Sequence, residues 1–150
     1  MKRSLERFSV VIDANEHHHG NTWDFPGYSV SVSPLLKFGC DYAVRGQLGQ
    51  IGVERKSFSD YIRCIGHDWT RFLKQLEKLQ RNRIHAVIVE GNIDDPIHQY
   101  TSMVHDAIIT QTGKVTALGV PVLFAGTRLK ARDLCLSFMK AALQRIQDGT

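Results

Sequence analysis

At 150 residues the chain is long enough for one domain with a buried core and short for two. Its 43% hydrophobic and 23% charged residues exclude a disordered or fibrous chain, and no apolar run approaches transmembrane length. A net charge of +4 suits a polyanionic partner, though many small proteins are as basic. Three widely spaced cysteines (Cys40, Cys64, Cys135) without a C-x-x-C pair read as packed, reduced thiols, not a disulfide framework or zinc site. With no signal peptide, the expectation is a cytoplasmic chain, bacterial or viral, or a nuclear one in a eukaryote.

In chain order, Phe8 to Ile12 is a β-prone run that delivers Asp13 at its C-terminal end. His17 to Pro26 is polar and aromatic, a loop with Gly20 and Asn21 as breakers. Tyr28, Val30 and Val32 alternate with serines, which predicts a half-exposed second strand. Asp41 to Arg45 and Gln50 to Arg55 predict a hairpin across Gly46 and Gly49. These glycines and Gly52 spell G-x-x-G-x-x-G, but no helix follows, so the pattern is a hairpin loop and not a nucleotide fingerprint.

Ser57 to Asp60 opens a short helix, and Asp68 to Gln80 is an amphipathic one, with Trp69, Phe72, Leu73, Leu76 and Leu79 at helical spacing. Ala86 to Val89 is a continuous apolar run of the kind buried on both faces. A helix is expected from Ile97 to about Thr112 and another from near Gly113. Val120 to Phe124 forms the last strand and Leu129 to Ile146 the closing helix. A strand meander followed by alternating strands and helices predicts an α/β domain, a central mixed β-sheet flanked by α-helices.

The chemistry concentrates in Glu54-Arg55-Lys56. Alternate strand residues share a face, so Glu54 and Lys56 project together and Arg55 points the other way. With Asp41 on the neighbouring strand, this sets two carboxylates beside an ammonium, as metal-assisted phosphodiester cleavage requires. Carboxylates hold a hard divalent cation, and the lysine handles the nucleophilic water or the charge on phosphorus. Glu-x-Lys pairs also occur as plain salt bridges, so the surrounding motifs decide.

Those motifs are Ile12-Asp13-x-x-Glu16, Gly39-x-Asp41-Tyr42, Val53-Glu54-Arg55-Lys56-x-x-x-Asp60, Arg71-Phe72-x-x-Gln75, Val87-Ile88-Val89-Glu90-Gly91 and Gly119-Val120-Pro121-Val122. The ordered set resembles the XPF-type nuclease domain, the ERK-motif branch of the PD-(D/E)xK restriction-endonuclease-like superfamily, from about residue 9 to 145. Two departures stand out. Cys40 separates Gly39 from Asp41 where the family has Gly-Asp-Tyr, and Asn15 stands where the family has an arginine before Glu16. The expectation is a single nuclease domain over 1–150 with no helix-hairpin-helix module, as in compact stand-alone versions.

The resemblance implies a Mg²⁺- or Mn²⁺-dependent endonuclease acting on branched, flap or fork DNA in repair or recombination. Asp41 and Glu54 would be the primary metal ligands, with the Arg55 carbonyl as the family implies and Asp13 completing the shell. Lys56 would position or deprotonate water, or pair with Glu54. Supporting roles fall to Glu16, Arg55, Asp60, Arg71 and Gln75, each with a plainer alternative. Asp41 suits a turn and Asp13 a loop start. Asp60 suits a capping arrangement with Ser57. The Arg55 side chain suits a hydrogen-bonder behind the sheet, and Arg71 and Gln75 a solvated helix face. His17-His18-His19 reads as a loop reaching toward DNA, because three consecutive histidines cannot share one ion. Trp23 suits a DNA-facing aromatic or a core anchor.

Two further readings stay open: a non-catalytic DNA-binding or dimerisation partner, and a restriction or repair subunit that takes its specificity from a targeting protein. Retention of Asp41, Glu54 and Lys56 together favours catalysis. The density of apolar residues on the last helix, with Leu136 off the stripe of Leu129, Phe138, Met139, Ala142 and Ile146, predicts a homodimer.

Overall fold

The computed structural model of the chain describes residues 7–18, 20, 22–96 and 105–149. The expected helix start at Ile97, and also His19 and Asn21, lie outside the described residues. Six strands form one sheet: β1 (Val10–Asp13), β2 (Val30–Ser33), β3 (Tyr42–Val44), β4 (Ile51–Ser57), β5 (Ile84–Glu90) and β6 (Val122–Phe124). Their order is β2-β1-β3-β4-β5-β6. β1/β3 and β3/β4 pair antiparallel, whereas β1/β2, β4/β5 and β5/β6 pair parallel. The sheet is mixed as expected, but its first half is not a meander. β2 returns parallel to β1 at the outer edge, and β3 takes β1's other side. Period-two alternation marks β2 as a strand; it cannot say which neighbour the strand joins.

The strands explain themselves by composition. β1 is four consecutive buried residues, and β5 is buried on both faces, Val87 and Val89 facing one core and Ile88 the other. β2 alternates Val with Ser and is largely exposed, as an edge strand with one neighbour should be. The β3–β4 hairpin turns through Gly46 and Gly49, both at positive φ, whereas Gly52 lies within β4. There a Cβ would meet the Asn82 side chain at 2.7 Å, so the closeness of that amide, not a turn, requires glycine.

Helices α2 (Phe58–Ile65), α3 (Trp69–Leu79) and α4 (His105–Ala117) cover one face of the sheet, their buried Phe58, Tyr61, Ile62, Phe72, Leu76, Ile108 and Val115 joining Val11, Ala43, Val87 and Val89. The opposite face is covered by α5 (Arg128–Gln147), through Ala131, Cys135, Met139 and Ala142, and by Trp23 and Phe25 of the segment after β1. Two boundaries differ from expectation. A short helix α1 (Ala14–His18) follows β1 directly, so His17 and His18 close a helix. α4 runs through Gly113 without a break, because that glycine lies on an open face where its missing side chain costs no packing. On α5, Leu136 and Phe138 are half-buried and pack on their own subunit's core, while Leu129 is 61% exposed. No helix among the described residues is long and apolar enough to cross a membrane.

Candidate active site

Asp41 sits one residue ahead of β3, between the end of β1 and the middle of β4. Its carbonyl accepts from Asp13 N at 2.8 Å, its N–H donates to Val53 O at 2.9 Å, and its Oδ2 accepts from Arg55 N at 2.9 Å. These three bonds fix its carboxylate beside Glu54, which is 4% exposed. Lys56, two residues on and therefore on the same face, places Nζ 3.2 Å from Glu54 Oε1 and 5.9 Å from the centre of the Phe72 ring. The predicted trio thus meets on the floor of a cleft of about 950 Å³, whose lining also includes Asp13, Glu16, Asp60, Arg71 and Gln75.

The electrostatics are those of charge gathered out of water. Burial, with Glu54 and Glu16 close by, pushes the Asp41 carboxyl well above the ordinary carboxylate range. Burial raises Glu54 as well, against the opposing pull of Lys56 and of hydrogen bonding with Asp41 and Gln75. For Lys56, burial alone would favour the neutral amine, but Glu54, Cys64 and Asp41 outweigh it and raise its pKa. Lys56 therefore holds its proton at neutral pH, poised as a cation.

The flanking residues divide. Asp13, 7% exposed, is engaged with backbone: Oδ1 accepts from Leu35 N at 2.7 Å and Oδ2 from Asn15 N at 3.1 Å. These bonds tie β1 to the segment that leads into the 3-10 turn Leu36–Phe38. Asp60 lies in the first turn of α2, where its N–H donates to the N-cap Ser57 hydroxyl and its carboxylate pairs with Arg63 at 2.7 Å. The second half of the capping arrangement, a side chain reaching back, is absent. Arg71 and Gln75 face the cleft, with Gln75 beside Glu54.

Arg55, on the opposite face of β4, anchors a network. Its Nε donates to Glu90 Oε1 at 2.6 Å, its second terminal nitrogen to Glu90 Oε2 at 3.1 Å, and its first to Glu16 Oε1 at 3.1 Å. Glu90 also accepts from Trp23 Nε1 at 2.6 Å, and Glu16 from the Tyr42 hydroxyl at 3.2 Å. Trp23, 2% exposed, stacks on Tyr42 with ring centres 4.7 Å apart, so it is a core anchor. Sequence reasoning assigned no role to Glu90 or Tyr42, and missed Leu36, Arg63, Lys74 and Lys78 as cleft residues. A Glu at the end of a buried strand was the available signal for Glu90.

Among the described residues no group of three or more His, Cys, Asp or Glu side chains is arranged to hold a metal ion. The Asp41–Glu54 pair is a two-carboxylate donor set. That fits Mg²⁺ or Mn²⁺, hard ions that keep several waters and take one or two carboxylates.

The fold around this site, a mixed sheet carrying its carboxylates where β3 meets β4, is restriction-endonuclease-like. Solved structures agree in particular with XPF from Aeropyrum pernix: TM-score 0.68 at 19% identity, over 89% of this chain and 61% of that one. XPF from Aeropyrum pernix in a complex with DNA matches with TM-score 0.69 at 20% identity, over 92% of this chain and 66% of that chain. At these identities the likeness is one of fold, and the chain spans less than two thirds of the length of either. No protein-family model matches the chain, and no curated protein does.

Proposed function

We propose that the chain is a metal-dependent DNA endonuclease that hydrolyses phosphodiester bonds. The observation that carries this reading is the buried Asp41–Glu54 pair with the Lys56 ammonium 3.2 Å from Glu54 on the floor of an open cleft. A bound Mg²⁺ or Mn²⁺ would supply a Lewis acid and a water of lowered pKa. Asp41 and Glu54 would hold the ion with the Arg55 carbonyl, and Asp13 lies at the edge of the same cleft. Lys56 keeps its proton and donates to the attacking water or to a phosphoryl oxygen as negative charge builds there. In that role it serves as an electrostatic stabiliser. The water oxygen joins phosphorus as the water gives up a proton to solvent, one ester P–O bond breaks, and the leaving oxygen takes up a proton from solvent.

The substrates this reading favours are flap, fork or otherwise branched DNA met in repair or recombination, with any further targeting left to a partner protein. A nuclease assay on labelled flap, fork, junction and duplex DNA with Mg²⁺ or Mn²⁺ tests it, with Asp41→Asn and Glu54→Gln as controls. Cleavage by both variants at wild-type rate overturns the assignment. No cleavage by the wild type of any substrate, with DNA still bound, favours the non-catalytic partner. Pairing of two copies through α5 is the assembly we propose, supported by the exposed Leu129 on that helix. Light scattering at micromolar concentration that returns a 17.0 kDa monomer removes it.

A further inference from the structure

The cleft is lopsided in charge. Of the cations that line it, Arg55 is bound to Glu90 and Glu16, Lys56 to Glu54, and Arg63 to Asp60. Arg71, Lys74 and Lys78 remain, all on α3, and among the described residues none of the three is in an ion pair. Every other lysine or arginine lining the cleft is already in an ion pair, so the cations outside ion pairs are confined to one helix. A duplex gripped by both backbones would call for such cations on more than one element.

We propose that α3 is a phosphate rail for the one strand that is cut, and that this strand passes the carboxylates with contacts on both sides of the scissile bond. The inference rests on the nuclease reading for the word "cut"; the rail itself is a binding claim. The spacing supports it. Residues 71, 74 and 78 lie three and four apart and so share one helix face. Their Cα positions span about 10.5 Å of helix axis at ~1.5 Å per residue, about three phosphate-to-phosphate steps at ~3.4 Å of axial rise each along one strand.

Gln75, in the middle of the rail, sits beside Glu54, so Arg71 lies one turn to one side of the carboxylates and Lys78 nearly one turn to the other. A rail that continued on one side only would suit removal of terminal nucleotides. Continuation on both sides suits a break within a strand.

The rail's position is set by Gly39. This residue has φ +62°, and a Cβ on it would come within 2.7 Å of both Leu79 N and Lys78 Cβ. The last turn of α3 is therefore seated directly on the backbone two residues before Asp41, which holds the cations at a constant distance from the carboxylates.

The test is the salt dependence of DNA binding by Lys74→Gln/Lys78→Gln, measured by fluorescence anisotropy on a labelled fork with single-stranded arms, in EDTA so that nothing is cut. Two lost contacts to a single strand should reduce the slope of log K against log salt by about 1.4. Affinity near 0.1 M salt should fall about 25-fold. In Mg²⁺ the loss should appear in KM, with turnover at saturation kept, and Lys74→Gln alone should show about half the change in slope. Arg45→Gln/Lys114→Gln, at exposed positions away from both the cleft and α5, is the charge-matched control and should leave slope and KM as in the wild type.

A rail variant with the wild-type slope and KM overturns the proposal, as does an equal loss in the control or a wild type that binds no DNA. A wild type that never cleaves, whose binding nonetheless loses slope in the rail variant, upholds the rail and sinks the nuclease reading.

Discussion

Asp41→Asn should make the metal-free protein more stable while abolishing cleavage. The Asp41 carboxyl is enclosed against Glu54, receives one backbone hydrogen bond from Arg55 N at 2.9 Å, and has its pKa raised by burial and by Glu54 and Glu16. An unfolded aspartate titrates near 3.9. Between about pH 4 and its raised folded value, the folded chain holds a proton that the unfolded chain has released. The contribution of Asp41 to stability is therefore most favourable at low pH and falls through this window by up to about 1.4 kcal/mol per pH unit. Asparagine carries no charge at any pH, keeps an oxygen for Arg55 N, and offers its amide N–H to Glu54. The expected gain is about 2 kcal/mol near pH 8 in EDTA, in line with the cost of a poorly compensated buried charge. For a chain of this length that is about 4–8 °C in Tm. Near pH 5 the difference should shrink. Thermal melts by circular dichroism at the two pH values, with EDTA and then with millimolar Mn²⁺, measure it. Mn²⁺ should raise the wild type and leave the variant where it was. A variant that melts below the wild type near pH 8 in EDTA, or by the same margin at both pH values, refutes the reasoning.

Three other outcomes follow from named contacts. Glu90→Gln removes the bidentate partner of Arg55 and weakens the bond from Trp23, so it should cost about 3 kcal/mol in urea denaturation; an unchanged midpoint would mean the network carries no stability. Gly39→Ala forces a Cβ into the backbone of Leu79 at positive φ and should cost about 2–4 kcal/mol, read the same way. Burial raises the Cys40, Cys64 and Cys135 thiols, but Cys64 alone of the three is only half-buried, so a disulfide reagent should modify Cys64 first in the native protein. Mass mapping that finds Cys40 modified first would contradict the burial described here.

The parts of the site legible in sequence were those ruled by local geometry. Two-residue alternation puts Glu54 and Lys56 together and Arg55 behind, whatever else the chain does. The spacing of Phe72, Leu76 and Leu79 leaves Arg71 and Gln75 on the flank of α3 beside the buried stripe. The parts that were not legible depend on partners distant in sequence. Nothing near Trp23 announces Glu90, 67 residues later, and nothing in a Val-Ser alternation says that β2 will lie parallel to β1. Asp13 lines the cleft as a candidate ligand should, and its oxygens also accept from two backbone amides that the sequence does not announce. Leu36, 67% exposed at the cleft, carries no sequence signal, since an exposed leucine is ordinary.

Glu54, Arg55 and Lys56 are adjacent in the chain yet answer to different demands. Glu54 and Lys56 strain the fold to equip the cleft, while Arg55 ties together β4, β5, α1 and Trp23. If the proposed nuclease reading holds, a lineage of this chain released from cutting DNA would be free to let the outer two drift, and would gain stability by replacing them with apolar residues. It could not lose Arg55 without also rebuilding Glu90 and Glu16. Decay of the activity should therefore leave a lone arginine in the middle of β4 with its two glutamates, a relic that marks descent after function has gone.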